Sequence, residues 1–349
     1  METSEGLLDD LAYALRNGEC SHPFRVERGG KSIWVRCRSR LVSYCPSCAE
    51  LYRGDWSAIA RSGIYNDSVS SNRFFFLTLT APSFGTVHRV PRNDVPSPCR
   101  CGKVHTQADS GLAGVPLDPQ NYDYLGQVSF NRDSSTLWHN TIRRLRHQWP
   151  SLEFFVVSEW QARGVVHRHA LIRIARGEAP SAIELEHRAR MTTATSLEGE
   201  TIGWGNQSDC QNFDALGPDG AKPIWYLTKT LGYALKHLGS VHHVQGWVHQ
   251  GKLRQVARQI RCRADCEPRF CTKSVHQTMG THSHIVSASR HTATREGWSL
   301  SQLTRTAQRK ARSDWFLAQP QREGGITKEM VDQAAWARER IRARESGGL

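Results

Sequence analysis

No run of this sequence approaches the length of a membrane span; its most apolar patch, Phe74 to Leu79, is the size of a strand. Hydrophobic residues make up 38% of the chain, and the mean hydropathy of −0.54 describes a soluble protein with no call on a membrane. The start, Met1-Glu2-Thr3-Ser4-Glu5, lacks the basic and then apolar pattern of a signal peptide, so the expected compartment is the cytoplasm. Acidic residues are also short: 33 Asp and Glu face 46 Lys and Arg, a formal charge of +13. That imbalance points to a polyanionic partner. No basic amphipathic helix with a clean apolar face stands out, so nucleic acid is favoured over membrane.

At 349 residues the chain has room for two domains, or one with appendages. Its ten cysteines, in a chain without a leader, indicate metal ligands or free thiols rather than disulfides. Cys20, Cys37 and the Cys45-Pro46-Ser47-Cys48 knuckle supply four thiolates for tetrahedral zinc, which would stabilise a segment too small to build its own core. His22 is an alternative to Cys20. A second cluster, Cys99, Cys101 and His105, needs a fourth ligand from His88 or Cys210. A third run, Cys262, Cys266, Cys271 and His276, has a spacing irregular for zinc. Scattered free thiols are the plain alternative for all three.

Along the chain, leucines 7, 8, 11 and 15 have helical spacing, and 51–64 reads as a helix. Asn72 to Thr80 reads as a central strand buried on both faces, turning polar on one face at Thr78 and Thr80. The Pro, Gly and Asp content of 81–126 marks an insertion. Ser134 to Gln148 is an amphipathic helix ended by Pro150, and 176–222 reads as a connector with irregular structure. Basic residues gather between Lys252 and Lys273, with Trp247 and Phe270 among or beside them. That composition suits a nucleic-acid face, although a solvated surface is the simpler reading. The tail 328–344 is a charged helix by composition. The pattern predicts an α+β fold, a central antiparallel sheet with helices on one face, preceded by a cysteine-rich zinc-binding segment. Expected divisions are 1–70, 71–240 (with the insertion inside it) and a basic DNA-binding region over 241–349.

The chemistry concentrates between Phe154 and Ile172. Two β-rich runs flank Ala162-Arg163-Gly164, which is a hairpin signature. With the loop there, Glu159 faces His167 and Val157 faces His169, so Glu159, Gln161, His167 and His169 share one side of the ribbon. Two imidazoles and a carboxylate can hold a divalent cation and leave positions for a phosphate. With 16 histidines in the chain a His-x-His triplet arises about once by chance, and His282-Ser283-His284 is a second one without a comparable setting. Farther on, Tyr226, Lys229, Tyr233 and Lys236 fall on one helical stripe, a pattern that more often packs or solvates than catalyses.

Three ordered motifs now stand together: Phe76-Leu77-Thr78-Leu79-Thr80, Glu159-x-Gln161-x-Arg163-Gly164-x2-His167-x-His169, and Tyr226-x2-Lys229. With the Cys45-to-Arg53 stretch, they resemble the rolling-circle replication initiators of actinobacterial plasmids and integrative conjugative elements, which are HUH (His-hydrophobe-His) endonucleases with an RRM-like palm. The resemblance covers roughly residues 20–275. It implies that His167, His169 and Glu159 hold Mg²⁺ or Mn²⁺, that Tyr226 or Tyr233 attacks single-stranded origin DNA with Lys229 beside it, and that structural Zn²⁺ is bound elsewhere. It also implies DNA contacts from Arg168, Arg258, Arg261 and Arg263, and partners in the host helicase and polymerase. This chain carries Arg168 where the family has a hydrophobe, and Thr230 where members often carry a second tyrosine. Conjugative relaxases and HUH transposases share the chemistry. A non-catalytic zinc-containing nucleic-acid-binding regulator is the alternative of another class.

Overall fold

The computed structural model describes residues 20–322, apart from 29–30, 66–68, 92–94, 219–220, 235–242 and 282–284. The expected helices at 7–15 and 328–344, and the triplet at His282 and His284, lie outside the described residues. The chain divides into two compact units, residues 1–59 with 303–349, and residues 60–302. No described helix is long and apolar enough to cross a membrane.

The first unit contains the hairpin β1 (Phe24–Arg28) and β2 (Lys31–Val35) and all but the last turn of the helix α1 (Pro46–Ser62). Pro46 opens α1, where its missing N–H costs nothing. A carboxylate buried in this unit, Asp55, meets Arg312 at 2.6 Å and Arg305 at 3.4 Å, both on the helix Arg305–Arg322.

The second unit is built on a five-stranded sheet. In chain order its elements are β3 (Asn72–Leu79), the short pair β4 (Ser97–Pro98) and β5 (Val104–His105), α2 (Tyr124–Gln148), β6 (Glu153–Trp160), β7 (Val166–Ala175), α3 (Ala182–Arg190), β8 (Thr193–Thr195) with β9 (Thr201–Gly203), β10 (Asp209–Phe213), α4 (Ala221–Ala234), α5 (Val244–Gln259) and β11 (Val286–Ala288). The sheet runs β10-β3-β7-β6-β11, antiparallel throughout. Phe75, Leu77, Ala170, Ile172 and Val156 project from one face into the main core, against Leu137, Trp138 and Leu145 of α2 and Leu185 of α3. The α+β class and the antiparallel sheet agree with the sequence pattern.

Three expectations change. Helices cover both faces, because Phe155, Val157 and Leu171 are as apolar as the opposite face and also need cover. On that second side, α4 lays Tyr226 against the rings of Phe76 and His169. Helix α2 begins at Tyr124, inside the expected insertion, where the Asp123 side chain accepts from the Gly126 N–H at 2.7 Å. Residues 176–222 form no mere connector: β10 pairs with β3 as an edge of the sheet. Its sequence, Asp209-Cys210-Gln211-Asn212-Phe213, is polar because an edge strand is wetted, which hid it from a hydrophobicity reading.

Candidate active site and metal centres

The hairpin register is the one read from the sequence: Glu159 opposite His167, Val157 opposite His169, and the Gln161 N–H donating to the Val165 carbonyl across the turn. On the next strand Thr78 lies opposite His169. The alternation of side chains therefore puts Thr78, Phe76, Glu159, His167 and His169 on one surface. His169 is buried; its Nε2 stands 3.2 Å from Glu159 Oε2 and its Nδ1 3.0 Å from Thr78 Oγ1. Its ring stacks on Phe76 with centroids 5.6 Å apart. The two imidazole centroids are 4.4 Å apart, and His167 Nδ1 lies 3.2 Å from Gln161 Nε2. The Gln161 amide thus donates to His167, and His169 is bracketed by Thr78 and Glu159, so both rings are fixed in orientation.

The hairpin is held by side chains whose role was not legible in its own motif. Gly164 sits at φ +78°, and a Cβ there would meet Leu253 Cδ1 at 2.7 Å. Buried Asn131 of α2 donates to the carbonyls of Gly164 (3.0 Å) and Met279 (2.7 Å) and accepts from the Val166 N–H at 2.9 Å. Gln127 Nε2 donates to the Arg163 carbonyl at 2.8 Å, and His249 Nε2 from α5 reaches the same oxygen at 3.0 Å. Arg163 donates to Gln161 Oε1 at 3.1 Å and to the carbonyls of Pro82 and Ala81. Burial holds the His249 imidazole below its ordinary pKa, so it serves this bond as a neutral ring. Floor and turn are thereby pinned to the core before any ligand arrives.

Tyr226, 41% exposed, lies edge-on to His169 with centroids 5.2 Å apart and edge-on to Phe76 at 5.7 Å. Lys229 and Tyr233 are on the same helix, and their side chains lie outside those described. Arg168 requires a correction. It is buried, on the opposite face from the histidines, with Nη1 donating to Ser158 Oγ at 3.0 Å and Nη2 to Ser134 Oγ at 3.3 Å. Burial pushes its pKa down to about 10, so it stays charged at neutral pH yet offers no surface to DNA. Its even position in the strand dictates this, since its neighbours in the triplet face the other way. Arg258, Arg261 and Arg263 are exposed, with Arg263 Nε 2.7 Å from Asp265.

Among the described residues, three groups bring four ligand atoms each within 4.8 Å of one another: Cys20, Cys37, Cys45 and Cys48; His88, Cys99, Cys101 and His105; and Cys262, Cys266, Cys271 and His276. In the first, Cys20 rather than His22 completes the set. Backbone N–H groups of Ser21 and Cys37 point at Cys45 and Cys20 sulfurs at 3.2 and 3.3 Å. The hydrogen bond with Cys20 holds the Cys48 thiol well below its usual range, at about 4, and the Arg36 guanidinium adds to this. A thiolate is the form that binds metal. In the second group His88 is the fourth member. Cys210 instead lies in β10, packed on the main core, where burial raises its pKa to about 12. Cys101 Sγ is 3.3 Å from His105 Nε2, while His105 Nδ1 meets Asp109 Oδ2 at 3.1 Å, the carboxylate–histidine pairing that orients a zinc ligand. Gly102 turns the knuckle at φ +85°. Both groups could hold zinc.

Comparison with known proteins adds the family. Residues 12–347 match the RepSA family, described as "Replication initiator protein, pSAM2". A replication initiator protein of Streptomyces ambofaciens is 32% identical over 242 aligned residues, covering 57% of this chain and 52% of the relative. The chain thus spans about half the length of that relative. No solved structure matches.

Proposed function

The chain belongs to the family of the pSAM2 replication initiator, and on that premise we propose that it nicks and rejoins single-stranded DNA at a replication origin through a tyrosine–DNA intermediate, in the manner of HUH endonucleases. The observation that carries this reading is the juxtaposition of Tyr226 with the His169–Glu159 pair, 5.2 Å between rings and 3.2 Å between Nε2 and carboxylate. The donor set of two imidazoles and a carboxylate fits Mg²⁺ or Mn²⁺, and the cation held by His167, His169 and Glu159 would supply charge stabilisation at the scissile phosphate.

The protein's own groups account for the rest. Tyr226 Oη attacks phosphorus, the bond from phosphorus to the 3′-oxygen breaks, and the proton lost by the phenol is matched by one gained at the departing oxygen. The product is a 5′-phosphotyrosine and a free 3′-hydroxyl from which a host polymerase, with its helicase, would extend in rolling-circle fashion. A phenol with an ordinary pKa of about 10 needs help at neutral pH. Lys229, one helical turn from Tyr226, would favour the phenolate. Because the phosphotyrosine keeps the phosphodiester's energy, the reverse attack rejoins ends without ATP. Tyr233 is the alternative nucleophile, and the nearness of Tyr226 to His169 supports Tyr226. The family match favours an initiator over a relaxase or transposase.

The test is incubation of the protein with single-stranded origin DNA from its element and Mn²⁺, followed by denaturing electrophoresis. An SDS-resistant adduct that disappears in Tyr226→Phe and persists in Tyr233→Phe is the expected result. The reverse pattern would move the nucleophile, and no adduct on any origin strand would remove the enzymatic reading.

A further inference from the structure

The third cysteine group lies at the end of α5, and the chemistry proposed above does not use it. Cys262 and Cys271 sulfurs are 3.7 Å apart, and Cys266 Sγ is 3.3 Å from His276 Nε2. A disulfide needs about 2.05 Å, so these thiols are not bonded. The separations match the edges of a tetrahedron around zinc, about 3.8 Å between sulfurs for Zn–S bonds of about 2.3 Å. Cys266 and His276 are buried. His276 Nδ1 donates to the Ala257 carbonyl at 2.9 Å, which leaves the Nε2 lone pair directed at the cysteines.

The segment between these ligands contains little regular secondary structure. It advances through tight turns, Cys266 N–H to Arg263, Phe270 N–H to Glu267 and His276 N–H to Lys273. Its one large apolar side chain, Phe270, is 82% exposed. Around Phe270, Arg261, Arg263, Arg269 and Lys273 are exposed, against Asp265 and Glu267. The base of the loop is fixed to the core, because buried Arg132 donates to the Arg261 carbonyl at 2.9 Å. Helix α5 also packs on the histidine hairpin through His249 and Leu253, so the loop and the histidine floor are parts of one scaffold.

We propose that Cys262, Cys266, Cys271 and His276 form a Cys3His zinc site that shapes residues 261–273 into a knuckle, with Phe270 stacking on a base of single-stranded DNA and Arg261, Arg269 and Lys273 meeting its phosphates. An exposed aromatic ring amid cations is the composition of a single-strand platform, since every base offers a face for stacking and the backbone supplies the charge. The zinc assignment stands on the ligand geometry alone; the DNA assignment rests on the function proposed above.

The experiment uses the full-length protein. Metal content by mass spectrometry should fall by one zinc equivalent in Cys271→Ser and in His276→Ala, and return in Cys271→His. Phe270→Ala should keep all its zinc and lose about tenfold in affinity for a fluorescent oligo-dT, the size of one base–aromatic stack. Unchanged zinc in both ligand variants overturns the metal site. Unchanged oligo-dT affinity in Phe270→Ala, or an equal loss on duplex DNA, overturns the single-strand platform. The covalent adduct assay on wild-type protein is read separately. No adduct with the knuckle results intact removes the nicking mechanism alone, whereas an adduct with the knuckle results absent removes this inference alone.

Discussion

The side chains of the histidine floor stand on central strands whose far face is a filled core, while those of the cysteine groups stand on short hairpins, turns and a helix start. His169 is pinned by Thr78, Glu159 and Phe76, and the turn beyond it by Asn131 and Gln127. Around Cys45 and Cys48 the buried cluster consists of the cysteines themselves. A site on a packed sheet exists before its cation and can use that cation for chemistry. A cluster that is its own core needs the metal to exist at all. If the cysteine groups hold zinc and the histidine floor a catalytic cation, as proposed above, metal removal would have two separable consequences, one on stability and one on rate.

The largest effect to expect is at the first cysteine group. Structural zinc in small domains is worth roughly 10–16 kcal/mol of apparent binding free energy, more than a short segment can replace. Cys45→Ser should therefore lose zinc and unfold the first unit, visible as early proteolysis there, while the Mn²⁺ concentration for half-maximal adduct formation stays put. Unchanged melting in that variant would show that the first unit does not depend on zinc. His169→Ala tests the other side. It should cut adduct formation by roughly a thousandfold, the equivalent of several kcal/mol of lost charge stabilisation, with the zinc content untouched. A fall in zinc would merge the two kinds of site.

Smaller changes sharpen the comparison. Gln161→Ala removes the partner of His167 Nδ1 and should raise the Mn²⁺ requirement by about 10–100-fold, the usual cost of losing such a support; no change would show that the turn alone orients the ring. Arg168→Met should have the least effect on DNA. Its guanidinium lies under the sheet on serine hydroxyls, so affinity and its salt dependence should match wild type, whereas Arg261→Ala should lower the salt slope by about one phosphate contact. A reduced salt slope in Arg168→Met would return that residue to the DNA surface.

Much of this was legible in the sequence, for identifiable reasons. Strand alternation with period two, together with Gly164 in the turn, determines which of residues 159–169 share a face. The register followed without tertiary information. The same alternation put Arg168 on the opposite face, where burial against Ser158 and Ser134 removes it from the DNA contact that the resemblance implied. Local cysteine spacing revealed three clusters and left a choice open in two of them, between Cys20 and His22 and between His88 and Cys210, which only the folded path decides. The supports of the hairpin, Asn131, Gln127 and His249, lie on helices distant in the chain and carry no pattern of their own. Strand β10 was missed because a wetted edge has no hydrophobic stripe.

The central claim is that Tyr226, standing over the histidine floor, becomes joined to DNA. Tandem mass spectrometry of the nuclease-trimmed adduct, formed with origin single strand and Mn²⁺, tests it most directly. The expected result is a nucleotide 5′-phosphate on the peptide containing Tyr226, localised to that side chain. A modification on Tyr233, or on any residue outside α4, would contradict it.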